Sequence, residues 1–429
     1  MEFIDNIDKY EYEEFVLSNI YKSHFLQSYL WGEFSYKDKG LIPHYVGIKD
    51  GNKIVCATLL LEKKLPLGFS YLYAPRGYVM NMFDEVLLKE FTTNIVDYFK
   101  SKKVIFIKID PDIIMSSFDK NDKENIINYN WKDVYNSLLS MGYRHLGFTK
   151  NFESSQPRYT FRINMDRPFT DIESDFSKSL KQRIRKAEDY ECKVSIGNKD
   201  NIKDFYNLML ITENRKGIIN HNLKYYEDLY DIFNKENKCN IFLCSINMSK
   251  LIDKCNKVIG EIDEKLYNLS KIEKLVDSQK VRKSDLESRR IKTINEIKEY
   301  TLYKETYGNE IILNADFVVE YGNKAWGLYA GNHDILTELN SNYLIYKTHI
   351  KYYYDKGIKV YDLFGTIGDL SNKSLIGIHE FKKKFGGDYI EFTGEYDYVL
   401  NKFMYVVFTK LIPIYRKIIK KIIKVNKKK

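Results

Sequence analysis

Cysteine is scarce in this 429-residue chain. Cys56, Cys192, Cys239, Cys244 and Cys255 are five, an odd number, and no two form a CxxC pair. Neither a disulfide framework nor a thiolate metal knot is expected from them. The seven histidines are scattered, with no HxxxH or HExxH spacing, so a zinc site is not expected either. Proline is missing between Pro168 and Pro413, which leaves room for long helices and unbroken sheet. The longest late apolar run, 403–408, is far too short to span a bilayer. The acidic opening "MEFIDNIDKYEYEEF" lacks the apolar core of a signal peptide, and a cytoplasmic chain is expected. "GTIGDLSNKS" lacks the Gly-Lys-Ser/Thr ending of a phosphate cradle, and no GxSxG elbow occurs. What remains for chemistry is acid–base and electrostatic catalysis, with no metal or cofactor expected.

What is present is apolar and aromatic. Hydrophobic residues make up 44% and aromatics 15%, enough for cores in two or three domains. Lys and Arg total 68 against 59 Asp and Glu, and nine of the basic residues lie between Lys410 and Lys429 with no acidic one. The body is therefore balanced and the excess belongs to the tail. There, Leu411, Ile412, Ile414, Ile418, Ile419, Ile422 and Ile423 alternate with Arg416, Lys417, Lys420, Lys421 and Lys424 at helical spacing. A basic amphipathic helix suited to an anionic membrane surface is expected over 410–429, with tRNA as the rival partner.

Patterning predicts an α/β chain. "FLQSYLWGEF" reads as a helix, and "HYVGIKDGNKIVCATLLLEKKL" as a hairpin about Asp50-Gly51. "MFDEVLLKEFTTNIVDYFKSK" is an amphipathic helix, and "KVIFIKIDPD" is a buried strand ending at Pro111. A second series echoes the first. "SYLYAPRG" and "WGLYAGN" each follow a glycine-cornered hairpin and precede a helix and an acid-bearing strand, "IKIDP" or "VYDLFG". An internal duplication follows. Its expected bounds are 1–159, completed by about 388–409, and 160–387. Into the second unit, residues 249–303 insert a heptad seam, Ile252, Cys255, Ile259, Ile262, Leu266 and Leu269. Polar "DSQKVRKSD" interrupts it, and Ile291, Ile294 and Ile297 resume it, predicting an antiparallel helical hairpin. The helix "LKQRIRKAE" buries Leu180, Ile184 and Ala187 and exposes Lys181, Arg183, Arg185 and Lys186, as a solvated face or a phosphate contact.

"FLQSYLWGEF", "YAPRG", "IKIDP", "LKQRIRKAE", "YAGN", "YDLFGTIG", "FKKKFGG" and "FTGEYD" follow in that order. Together they resemble the Fem transferases, non-ribosomal peptidyltransferases of peptidoglycan cross-bridges, above all members that carry a helical arm and act on lipid-linked precursor. The resemblance covers nearly the whole chain. It implies two acetyltransferase-like domains with an inserted coiled-coil arm, and no cofactor. Aminoacyl-tRNA would be the co-substrate, and a stem-peptide amine of lipid II or a nucleotide-linked precursor the acceptor. The place of work would be the inner face of the cell membrane. The alternatives are transfer to a protein or lipid acceptor, and a non-catalytic coiled-coil membrane adaptor.

Carried residue by residue, the resemblance sets Lys382 at the developing oxyanion or the leaving oxygen, and Asp110 at the acceptor amine. Read alone, Lys382 is also a surface lysine beside the anchors Phe381 and Phe385, and Asp110 a strand-end turn former. Tyr225 and Tyr329 match the substrate cleft, and Lys37, Arg76, His221 and Phe381 complete the expected substrate contacts. Lys383 and Lys384, with Lys181, Arg183, Arg185 and Lys186, are the expected tRNA contacts. Two positions depart from the family pattern. Ser35 stands where lysine is common five positions into "WGxxK", two before Lys37, and His221 stands where arginine often precedes the cleft tyrosine by four. Both family residues grip a nucleotide-linked diphosphate, so a different grip on the precursor is implied.

Overall fold

The computed structural model describes residues 1–19, 23–217 and 220–412. Of the expected tail, Arg416, Lys417, Lys420, Lys421 and Lys424 lie outside the described residues. The strands are β1 (Glu2–Ile4), β2 (Ile42–Asp50), β3 (Lys53–Lys64), β4 (Ser70–Ala74), β5 (Val104–Ile109), β6 (Ile114–Phe118), β7 (Tyr143–His145) and β8 (Tyr159–Asn164). They continue as β9 (Lys193–Gly197), β10 (Cys239–Asn247), β11 (Glu310–Tyr321), β12 (Lys324–Asn332), β13 (Val360–Thr366), β14 (Asp388–Phe392) and β15 (Tyr396–Val399). They form two sheets, ordered β1-β2-β3-β4-β5-β15-β7 and β6-β14-β8-β13-β12-β11-β10-β9.

The duplication is visible in that order. Each sheet holds four antiparallel strands in chain sequence, β1 to β4 and β9 to β12. Each then adds a parallel neighbour, β5 or β13, reached through the Glu85–Lys100 or the Ser341–Asp355 helix. A parallel neighbour needs such a crossover because a hairpin only reverses direction. The Glu85–Lys100 helix shows why the local sequence complies. Asp84 caps Leu87 N–H, and Leu88, Phe91, Thr92, Ile95 and Phe99 form one buried stripe against Leu72 and Ile107. Each such apolar side chain contributes up to about 1.5–3 kcal/mol on burial.

Four details differ from expectation. First, the "FLQSYLWGEF" helix is broken. A 3-10 turn, Phe25–Gln27, precedes a helix, Tyr29–Lys39, because Ser28 turns extended and its hydroxyl caps Trp31 N–H. Secondly, Gly322-Asn323 forms the corner between β11 and β12, and its first-unit counterpart is the Leu67-Gly68 corner between β3 and β4, while the Gly51-Asn52 turn corresponds to the helical arm between β10 and β11. Thirdly, two strands cross the expected domain bounds. β6 leaves the first segment to pair with β14 in the second sheet, and β14 joins that sheet while β15 returns to the first. Fourthly, the arm runs as helices Met248–Ser270 and Asp277–Tyr307, so "DSQKVRKSD" lies in the second helix and the break falls at 271–276. Ile291 is 61% exposed, and the facing positions are Arg290, paired with Asp263 at 2.6 Å, and buried Thr293 and Tyr300. At the root, Cys255, Tyr300, Ile252 and Ile297 join the second unit's core.

Candidate active site

Asp110 follows the end of β5 and is buried. Its Oδ1 accepts the backbone N–H of Arg76 at 2.7 Å. Arg76 and Gly77 take left-handed backbone in succession, φ 60° and 75°. A Cβ on Gly77 would stand 2.8 Å from Pro111 Cα, so the "PRG" loop and the "DP" turn are in close contact, and glycine is required there. Asp110 Oδ2, Tyr73 Oη and Arg76 Nε are buried outside any well-formed hydrogen bond, with the Tyr73 hydroxyl near enough to Asp110 to stabilise its carboxylate. Burial pushes the Asp110 carboxyl up to about 7, against the opposing charge and N–H of Arg76. The Arg76 guanidinium donates to Pro157 O at 3.1 Å and stacks on Phe392.

Lys382 lies in the last turn of the Ile376–Lys383 helix and is buried. Its Nζ donates to Phe364 O at 2.9 Å and Gly365 O at 2.6 Å. Those carbonyls lie where the pairing of β13 with β8 is irregular, between Asp362 and Gly365, with Phe364 at φ 59°. Burial pushes the Lys382 amine down to about 7; Asp362 opposes this and Lys216 adds to it.

Between these two candidates runs a largely buried polar chain that the sequence reading missed, with Arg162 and Asp112 partly exposed at its middle. Asp362 accepts Phe364 N–H at 2.8 Å and the Thr160 hydroxyl. Its other oxygen accepts Arg162 Nε at 2.8 Å, and Arg162 Nη2 donates to Asp112 at 3.0 Å. Asp112 N–H donates in turn to Arg76 O at 3.3 Å. Although burial acts to raise it, Arg162, Lys324 and Arg76 hold the Asp112 carboxyl well below the usual range. One guanidinium clamping two carboxylates is a geometry suited to arginine. The "DPD" segment carries Asp110 and Asp112 from the first sheet toward β6 in the second, and this crossing brings the candidates into one network.

The parallel contact of β12 with β13 is short: Lys324, Ala325 and Trp326 face Val360, Tyr361 and Asp362, and beyond them no pairing continues. The strands separate there, with Tyr329 on one limb and Phe364 on the other, both against the same core. The Tyr329 and Tyr225 hydroxyls lie 2.7 Å apart. His221 stacks on Tyr225, centroids 3.6 Å apart, and burial, then Lys39, lowers its pKa. Lys37 pairs with buried Asp228 at 2.8 Å, an oxygen pair shared with Lys224, and Ser35 is buried.

The remaining candidates do not converge on this network. Phe381 turns inward onto Tyr343, Tyr346 and Phe385. Lys383 pairs with Asp122 at 2.6 Å, and Lys384 donates to Glu380 O at 3.0 Å. On the Lys178–Asp189 helix, Leu180, Ile184 and Ala187 are buried. Lys181 donates to Ser174 O, Arg183 to Asn340, and Lys186 lies over Tyr190. Arg185 lines a groove of about 380 Å³ with Glu173, Glu188 and Lys347.

Comparison with known proteins follows the same outline. The family model described as the FemAB family matches residues 7–412. A lipid II:glycine glycyltransferase of Staphylococcus haemolyticus (strain JCSC1435) is 27% identical over 414 residues, 95% of each chain. That of Staphylococcus aureus (strain MRSA252) is 25% identical over 418 residues, again 95% of each. The crystal structure of FemX has the same fold: TM-score 0.75 at 24% identity, over 95% of this chain and 99% of that one.

Proposed function

The chain belongs to the FemAB family, and from that premise we propose that it transfers an amino acid from aminoacyl-tRNA to the stem-peptide amine of a peptidoglycan precursor carried on lipid. The observation that carries this reading is the largely buried chain joining Asp110 to Lys382, in a protein similar over 95% of its length to lipid II:glycine glycyltransferases.

Transfer needs three things: a deprotonated amine, a stabilised tetrahedral oxyanion, and a proton for the departing ribose oxygen. The amine nitrogen attacks the ester carbonyl carbon, the carbonyl π pair moves to oxygen, and its collapse expels the tRNA hydroxyl. Asp110, raised to about 7 by burial, accepts the proton that the amine loses. Lys382 has two of its three N–H donors on Phe364 and Gly365. Its remaining N–H stabilises the oxyanion and then gives its proton to the leaving oxygen; Asp110 releases the amine's proton to solvent as Lys382 is reprotonated. Arg162 positions both by holding Asp112 and Asp362. The Tyr225–Tyr329 pair at the strand separation offers a wall for the substrate.

A lipid-linked acceptor is favoured by the names of the relatives and by Ser35 and His221, which leave the expected diphosphate grip without its lysine and arginine. Among the described residues no helix is long and apolar enough to cross a membrane, so the acceptor's lipid would be met at a surface. The test is direct. Purified protein, charged tRNA and lipid-linked precursor yield a stem peptide heavier by the transferred residue. No product across a panel of charged tRNAs and acceptors would sink the assignment.

A further inference from the structure

Three segments distant in sequence meet on the first unit. Leu65, Phe69 and Tyr71 from the β3–β4 corner pack with Met404 and Phe408 around Ile105, Phe106 and Tyr405. Tyr71 stacks on Phe106 at 5.0 Å, and Tyr405 meets the Phe106 ring at 5.3 Å. Leu65 N–H donates to Phe69 O at 2.8 Å and closes the corner. Leu67 stands at its tip, 80% exposed and left-handed at φ 63°. A bulky aliphatic residue is an outlier in that backbone region, and the equivalent corner of the second unit carries Gly322-Asn323. The Lys402–Val406 helix and the Val407–Leu411 turn bury Tyr405 and present Phe403, 76% exposed, and Leu411, 54% exposed.

The exposed charge of these segments is basic; Lys64 pairs with buried Glu62 at 2.6 Å, and Tyr405 donates to buried Asp397 at 2.8 Å. Residues 63–69, 101–103 and 400–412 carry Lys63, Lys64, Lys102, Lys103, Lys402 and Lys410, all exposed, and no Asp or Glu. Lys103 Nζ lies 4.0 Å from where a Cβ on Gly68 would be. The sequence past Ile412 adds eight basic residues and no acidic one. Large apolar side chains projecting from a lysine ring match a headgroup layer. The apolar tips enter it and the lysines meet lipid phosphates.

We propose that this face, with Leu67 and Phe403 as its apolar tips, docks on an anionic bilayer surface. The docking serves the lipid-linked acceptor of the proposed function, but its test does not depend on that reading.

The experiment is co-sedimentation of the full chain with vesicles of equimolar phosphatidylglycerol and phosphatidylcholine, beside vesicles of phosphatidylcholine alone. The unaltered protein binds the anionic vesicles preferentially. Leu67→Glu with Phe403→Glu lowers that partition at least tenfold, and Lys63→Glu with Lys103→Glu lowers it by roughly fivefold or more per charge and more steeply in low salt. All four positions are exposed, and unchanged circular dichroism confirms folding. Transfer to a soluble stem-peptide acceptor stays at the unaltered level in both variants. If the unaltered protein transfers nothing, the functional reading fails while the vesicle result stands. Three outcomes overturn the docking face: unchanged partition in the Leu67/Phe403 variant, equal binding to uncharged vesicles, or loss of tRNA binding with vesicle binding intact.

Discussion

The pH dependence of transfer is the sharpest test of the Asp110–Lys382 pairing. The proposed mechanism needs Asp110 ionised and Lys382 protonated. Burial sets both near 7, the carboxyl pushed up and the amine pushed down. As pH rises through about 7 the base becomes competent and the cation is lost. At the crossing each is half in its working form, so about a quarter of the enzyme carries both, and one unit to either side this falls about threefold. The expected kcat/KM profile is a narrow bell centred near 7, read as a property of the pair. Lys382→Arg supplies a cation that does not titrate. It loses the alkaline limb and rises to a plateau, at a lower rate because the planar head does not match the Phe364 and Gly365 carbonyls. Asp110→Asn loses the acid limb. Lys382→Met lowers kcat by about 10²–10³-fold, the usual loss of one oxyanion donor, and leaves charged-tRNA binding intact. Initial rates at fixed ionic strength, with tRNA binding measured in parallel, decide the matter. An alkaline limb that survives in Lys382→Arg, or equal loss of turnover and tRNA affinity in Lys382→Met, refutes the argument.

Other expectations test the surrounding structure. Arg162→Met leaves half-buried Asp112 without its guanidinium and buried Asp362 with only the Thr160 hydroxyl and Phe364 N–H, and should cost about 3 kcal/mol in chemical denaturation. Tyr329→Phe removes its hydroxyl contact with Tyr225, costs about 1 kcal/mol, and should raise acceptor KM more than it lowers kcat. Gly77→Val puts a branched side chain at φ 75° against Pro111, so a lower melting temperature and reduced turnover are expected together. In the arm, Arg290→Ala breaks an exposed pair and should cost under about 1 kcal/mol, whereas Ile262→Ala, at a buried seam position, should cost about 2–5 kcal/mol.

Much of this protein was determined by its sequence alone. The apolar stripe at Leu88, Phe91, Ile95 and Phe99 and the Gly322-Asn323 corner predict the elements found there. The first helix of the arm follows from its heptad spacing, and the order of the motifs points to the family. Such signals are local, because periodicity reports which face of an element is covered and a turn residue reports a backbone angle. What covers that face is not local. Arg162 and Asp362 are 200 residues apart, and only the pairing of β8 with β13 makes them neighbours. Nothing in the sequence sends β6 and β14 to the second sheet while β15 returns to the first. That exchange carries Asp112 to Arg162. The same holds for orientation: Phe381 faces an aromatic core and Lys37 a buried aspartate because neighbours from other segments occupy those sides. The two pKa shifts toward 7 belong to the tertiary structure for the same reason, since only assembly removes water from Asp110 and Lys382.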